Sequence, residues 1–318
     1  MKLVWVYTGQ IQPISVSMLR LSVLSAHLFH PDLEKVCICP EGTAAELKKS
    51  ASRDFIHQNI DFHIIPVKTP DLDAKTLSRW LKVRVYQIIN ESCLFLDTDT
   101  LIVKRLNFAE VHIANIGAAI NKDGIHGIEI KIDNFVKDRF NKLNWPWKDE
   151  YVDKYLNSGV IFYKKNKLTE KFVAEWINNW TKFQIITNEH YDQLAFNHTY
   201  FTTNLVTRLP DGWNAPVAVL PQKSSGAVIY HYYSSSGSNK LKYTIWGKLI
   251  QKDIYLGLQI NDIKKALNGP KPFVFLGGHS QEYFLSKQYI FYFFSKFYEL
   301  CSFFKTGIKI LTKKIENL

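Results

Sequence analysis

Through the first hundred residues, short apolar runs of strand length alternate with longer segments of helical periodicity. The runs are Leu3–Tyr7, Lys35–Cys39, Phe62–Pro66 and Cys93–Leu96. Helices are predicted between them over Ser15–Leu28, Ala44–Ile56 and Ala74–Ile89, and in the first of these Leu19, Leu21, Leu24 and Leu28 roughly track one face. This alternation predicts an α/β domain with a mainly parallel sheet covered on both faces. Sheets of this kind hold ligands beyond the carboxyl ends of their strands.

After residue 100 the alternation weakens. Gly124–Asn144 is mixed and polar and is read as loops around a site. Asn157–Tyr163 reads as a strand, Lys167–Phe183 as a helix, and a shorter helix is expected to start near His190. Leu205–Leu209 and Ala227–His231 have the pattern of late strands, and Ser234–Asn239 that of a Ser/Gly loop. Leu267–Ser280, with its Gly-Pro and Gly-Gly pairs, is read as the connection to a C-terminal helix. There is no internal repeat and no nucleotide P-loop.

Composition adds bounds. With 318 residues, 46% of them hydrophobic, the chain can build one large domain or a domain with an appendage, which excludes wholesale disorder. Four scattered cysteines make no disulfide scaffold; Cys37 and Cys39, two apart in a strand, suggest a reduced compartment. The net charge is +11, which admits nucleic acid, an anionic membrane or phosphorylated ligands. Its distribution is uneven. Residues 240–318 hold 13 Lys against 5 acids, whereas the first 239 residues are nearly balanced at 27 basic and 24 acidic. Tyr283–Phe304 carries 11 aromatic residues, yet its longest uncharged stretch is eight residues, too short for roughly 30 Å of hydrocarbon. It is read as an interfacial helix, or one docked on a partner or on its own domain. The five-residue run Leu3–Tyr7 is too short for a signal-peptide core. The expected division is a catalytic domain over 1–250 and a basic, aromatic extension over 251–318 that associates with a membrane or a partner.

The candidate chemistry begins where Cys93-Leu94-Phe95-Leu96 runs into Asp97-Thr98-Asp99-Thr100. Two neighbouring carboxylates at the carboxyl end of a buried strand repel each other unless a cation neutralises them. A divalent metal that bridges to a diphosphate would do so; a polar turn is the plainer alternative.

That segment, followed in order by Asn157-Ser158-Gly159-Val160, Asp192-Gln193, Trp213-Asn214 and His231, resembles the family 8 glycosyltransferases. These are the glycogenin-like and bacterial lipopolysaccharide galactosyl- and glucosyltransferases. The resemblance covers about residues 1–246. It implies a GT-A fold, a UDP-sugar or similar nucleotide-sugar donor, Mn²⁺, and transfer with retention to a saccharide or glycolipid acceptor. By position it implies Asp97, Asp99 and His231 as metal ligands, with Asp97 also touching the donor; imidazole beside carboxylates favours Mn²⁺ over Mg²⁺. Lys82, 15 residues before Asp97, matches the basic residue that contacts donor sugar or diphosphate. Arg84 is its competitor, and a solvated helix charge is the plain alternative.

Asn157 would approach the transferred sugar, with Ser158 and Gly159 beside the donor; a β-bulge also explains the glycine. Asp192 and Gln193 would hold the sugar's reacting face, or else cap a helix. Trp213 and Asn214 would line the acceptor side, although a packed core tryptophan explains the first equally well. Gly237 and Lys240 match a late Gly-x-x-Lys that is displaced here by three residues. Tyr7 and Thr8 follow the first strand where the base is gripped, without the family's acidic residue.

Two alternatives stand beside this reading. A nucleotidyltransferase shares the alternation and the carboxylates, but would carry a Gly-rich loop after the first strand that Gly9 alone does not supply. A non-catalytic membrane-binding module explains the basic end but not the ordered motifs. Nucleic acid is disfavoured by the near-balanced first 239 residues. The expected location is cytoplasmic, at the inner face of the membrane.

Overall fold

Strand β1 (Lys2–Val6) shows why its run of apolar residues is unbroken: Leu3 and Trp5 pack into one core and Val4 and Val6 into another, on opposite faces of a sheet. The computed structural model describes residues 1–9, 13–49, 55, 58–111, 114–121, 129–216, 227–232 and 245–268, with Phe293 and Phe297. After β1 come α1 (Pro13–Phe29), β2 (Glu34–Pro40), α2 (Glu41–Leu47), β3 (Phe62–Val67), α3 (Ala74–Lys82), α4 (Val85–Ile89), β4 (Cys93–Leu96) and β5 (Thr100–Ile102). The chain continues through β6 (Ile116–Ile120), α5 (Glu129–Lys142), β7 (Leu156–Tyr163), α6 (Lys167–Thr187) and α7 (Asp192–Thr203). It then forms β8 (Val206–Arg208), β9 (Ala215–Pro216), β10 (Ile229–His231), α8 (Ile245–Leu256) and α9 (Ile260–Asn268).

Seven strands form one sheet in the order β3-β2-β1-β4-β7-β6-β8. All its pairs are parallel except those of β7, which runs antiparallel to β4 and β6. A second, three-stranded sheet has the order β5-β10-β9. The chain passes from one sheet to the other between Leu96 and Thr100, so the Asp-x-Asp segment is the crossing itself.

The helix expected over Ala74–Ile89 is two helices. Asp73 caps the first by accepting from the backbone N–H groups of Lys75 and Thr76. At its end Arg84 N–H bonds Leu81 O, a tighter turn that separates α3 from α4. The loops expected over 124–144 are corrected: Glu129–Lys142 is a helix. Val136, Phe140 and Leu143 are buried at spacings of four and three, a periodicity that the intervening charges mask in the sequence.

The boundary expected at 250/251 falls inside α8, which packs with α9 against α1. Trp246, Leu249, Ile250, Leu258 and Ile263 belong to the same core as Trp5 and Leu19. Cys37 and Cys39 share that core, as expected of one strand face. The expectations for Ser234–Asn239, Gly237, Lys240 and the Gly-Gly pair Gly277-Gly278 lie outside the described residues. So does the aromatic run except for Phe293 and Phe297, which are helical and exposed. No helix among the described residues is long and apolar enough to cross a membrane.

Candidate active site

Thr100 pairs with His231 in the antiparallel β5–β10 ladder, and this register brings a histidine from late in the chain against the Asp-x-Asp segment. Candidate ligand atoms of Asp97, Asp99 and His231 all lie within 4.8 Å of one another. His231 Nε2 is 3.1 Å from Asp99 Oδ1 and 3.9 Å from Asp97 Oδ2. The segment is held by backbone: Asp97 N–H bonds Gly159 O at 2.8 Å, Tyr232 N–H bonds Asp99 O at 2.8 Å, and the Thr100 hydroxyl donates to Asp97 O at 2.7 Å. Gly159 is needed for space. A Cβ there would collide with the His231 ring and stand 2.9 Å from Asp97 Oδ2.

Burial pushes the Asp97 carboxyl above the usual range, with Lys82 pulling it down and Asp99 pushing it further up. Burial acts on Asp99 too, but the charge and hydrogen bond of His231 hold it below that range. Such a split is what two crowded carboxylates show without a cation. Two oxygens and a nitrogen converging on one point fit a divalent metal.

Next to this cluster stands a second group of charges. Lys82 Nζ is 3.2 Å from Asp97 Oδ2 and 3.3 Å from Asp192 Oδ2. Arg79, one turn earlier on α3, places Nε 3.0 Å from Asp192 Oδ1. The Ser158 hydroxyl donates to Asp192 Oδ2 at 2.7 Å, and the Ser158 N–H donates to Gln193 Oε1 at 3.2 Å. Burial opposes ionisation of Asp192, yet Lys82 and Arg79 outweigh it and hold the carboxyl below its usual range. Burial likewise opposes the Arg79 charge, and the aspartates overcome it. Arg84 turns away, its guanidinium 4.2 Å from the centre of the Trp80 ring.

Asn157 donates to Asn121 Oδ1 at 2.9 Å and accepts from the Gly159 N–H at 2.8 Å. A cavity of about 380 Å³ is lined by Asp97, Asp99 and His231, and equally by Arg79, Lys82, Asn157, Asp192 and Gln193. Ser158 and Gly159 line it too. The structure thus gathers these residues around one cavity. It does not gather Trp213 and Asn214 there. Trp213 is a core residue, edge-on to Phe108 and donating to Glu110 Oε2 at 3.3 Å. Asn214 is buried behind His231. Tyr7 is buried at the end of β1, and Thr8 donates to Ala74 O at 3.3 Å.

Sequence reasoning missed Arg79, Asn121, Phe135, Tyr155 and Tyr191, which also line the cavity. Arg79 was within reach, since it precedes Lys82 by three on one helix face. Tyr191 adjoins Asp192 in sequence, whereas the others are brought in by tertiary packing alone.

No family model matches this sequence, and no curated protein matches it. Solved structures do. The galactosyltransferase LgtC, solved with donor and acceptor sugar analogues, superposes over 74% of this chain and 88% of its own, with TM-score 0.51 and 14% identity. The chain has the GT-A fold. Mouse xyloside xylosyltransferase 1, in its apo form, matches over 74% of this chain and 99% of its own, with TM-score 0.47 and 13% identity. In this GT-A fold, the crossing from β4 to β5 supplies two candidate metal ligands and β10 the third.

Proposed function

We propose that this chain is a metal-dependent glycosyltransferase. It moves a hexose from a nucleotide-sugar, of the UDP-sugar kind, to a saccharide or glycolipid acceptor with retention of anomeric configuration. One observation carries the reading. In a GT-A fold, the Asp97–Asp99–His231 cluster shares a cavity with Asn157, Asp192 and Gln193, whose amides and carboxylate suit sugar hydroxyls.

Asp97, Asp99 and His231 would hold the ion, with Mn²⁺ favoured over Mg²⁺ by the imidazole. Bound there, it would supply Lewis acidity that offsets the charge on the departing nucleoside diphosphate. Lys82 adds positive field at the same place. Lys82 and Arg79 keep Asp192 ionised, and both its oxygens are already engaged. Asp192 stays an ionised acceptor for sugar hydroxyls through its remaining lone pairs, and the two cations and the hydroxyl on its oxygens lower its strength as a nucleophile. Gln193 Oε1 is likewise occupied by the Ser158 N–H.

These engagements support a front-face reaction. The bond from the anomeric carbon to the diphosphate oxygen breaks, the acceptor oxygen bonds to that carbon, and the acceptor's proton passes to the departing diphosphate. Phe135 and Tyr191, edge-to-face at 5.4 Å on the cavity wall, offer apolar surface to an acceptor sugar.

The basic, aromatic end of the chain supports attachment to an anionic cytoplasmic membrane surface, where a lipid-linked acceptor of surface polysaccharide or lipopolysaccharide synthesis would be met. The function is tested by offering the purified full chain a panel of nucleotide-sugars with Mn²⁺ and measuring nucleoside diphosphate release. Release from at least one supports the reading, and release from none, with or without saccharide acceptors, contradicts it.

A further inference from the structure

We propose that Asn214 is a positioning residue that fixes the His231 ring in the tautomer presenting Nε2 to a metal. The inference rests on the metal-site reading above and adds a residue that does not itself line the cavity.

The assignment starts from a backbone group whose direction is not in question. The Gly159 N–H donates to Asn157 Oδ1 at 2.8 Å, so that atom is an acceptor. Asn214 approaches the same oxygen at 2.9 Å and must offer its NH₂ group. The other end of the Asn214 amide, Oδ1, then faces His231 Nδ1 at 2.9 Å. Only a proton on Nδ1 satisfies that contact. In the neutral ring Nε2 therefore carries the lone pair, directed at Asp99 Oδ1 3.1 Å away. Lone pair against carboxylate at that distance is repulsive, so the contact calls for a cation between the two: a second ring proton, whose charge and hydrogen bond hold Asp99 down, or a metal ion in its place. The opposite tautomer would donate from Nε2 to Asp99 and close the site with a hydrogen bond.

The fold enforces the arrangement. Asn214 ends a turn of 3₁₀ helix, Asp211–Asn214, and the next two residues pair with Tyr230 and His231. Asn214 is 2% exposed, so water does not compete for His231 Nδ1. Partners of this kind orient metal-binding histidines generally, and their loss costs about 10- to 100-fold in affinity.

The direct test is the protonation of each ring nitrogen in the full chain, labelled with ¹⁵N-histidine and free of metal, in mildly alkaline buffer. Long-range ¹H–¹⁵N correlation reads which ring nitrogen is protonated, and His231→Gln identifies the signals. A proton on Nδ1 is expected before and after addition of Mg²⁺; a bare Nδ1 overturns the proposal.

Calorimetric titration with Mn²⁺ adds two variants. Asn214→Asp keeps the acceptor and should bind near wild-type affinity, whereas Asn214→Leu should bind about 10- to 100-fold more weakly. A folded Asn214→Leu protein with unchanged affinity overturns the proposal, as does an Asn214→Asp protein as weak as the leucine variant. Wild-type protein that binds no Mn²⁺ refutes the metal reading instead, and the tautomer measurement still decides the role of Asn214.

Discussion

Lys82 and Asp192 form an ion pair, Nζ to Oδ2 at 3.3 Å, in which both side chains are at most 5% exposed. The same ammonium lies 3.2 Å from Asp97, so one cation ties α3 to the first turn of α7 and to the Asp-x-Asp crossing. Removing one partner of a buried pair costs about 3–5 kcal/mol when the other charge is left uncompensated; Arg79 still faces Asp192 here, so the loss is smaller. Lys82→Met, which keeps the stem volume, should lower stability by less than that amount in urea denaturation and should also abolish nucleoside diphosphate release. A variant as stable and active as wild type would show that the pair does neither job.

Gly159→Ala tests the space between strand and metal cluster. Its Cβ meets the His231 ring and Asp97 rather than open solvent. Mn²⁺ affinity should fall at least about tenfold, the range seen when the surroundings of a ligand are disturbed. Circular dichroism should report a folded protein, and calorimetry the affinity.

Tyr191→Ala addresses the acceptor side. Tyr191 is 43% exposed and contacts Phe135 edge-to-face. Loss of an aromatic contact worth about 0.5–1.5 kcal/mol predicts up to about a tenfold rise in the acceptor KM. Donor hydrolysis without acceptor should hardly change, so the two assays together separate acceptor binding from damage to the metal site.

Stability should fall in mild acid. His30 accepts from the Leu106 N–H at 2.9 Å, and burial, with repulsion from Arg105, lowers it to about 4. Burial, with Lys182, lowers His198, stacked on Trp145, also to about 4. The unfolded chain takes up these protons near the ordinary value of about 6.5, and the folded chain does not. Their contribution is thus complete above that value and is lost as pH falls from about 6.5 towards 4. The depressed Asp192 adds its loss only at lower pH. Urea midpoints measured across this range should drop with acid, and a double His30→Gln, His198→Gln protein should show a shallower drop.

The sheet was legible because its strands are buried on both faces and read as apolar runs; β4 has the expected bounds, Cys93–Leu96. The helix Glu129–Lys142 was not, because charged positions interrupt its buried ones. The metal cluster was visible as residue types, but only the pairing of β5 with β10 brings His231 to Asp99. Arg79 shares a helix face with Lys82 and could have been found. Trp213 could not be placed, since an aromatic side chain serves a core and a sugar platform equally well. Asn214 shows the same limit: its neighbour in the chain lies in the core, while its own amide turns to a histidine 17 positions on.

The central claim is metal-dependent cleavage of a nucleotide-sugar at Asp97, Asp99 and His231. It is tested most directly by measuring UDP release from UDP-glucose and UDP-galactose with Mn²⁺, in wild type and in Asp99→Ala. The account predicts release by the wild type that a chelator stops and that the variant lacks. Hydrolysis by Asp99→Ala at the wild-type rate would contradict it.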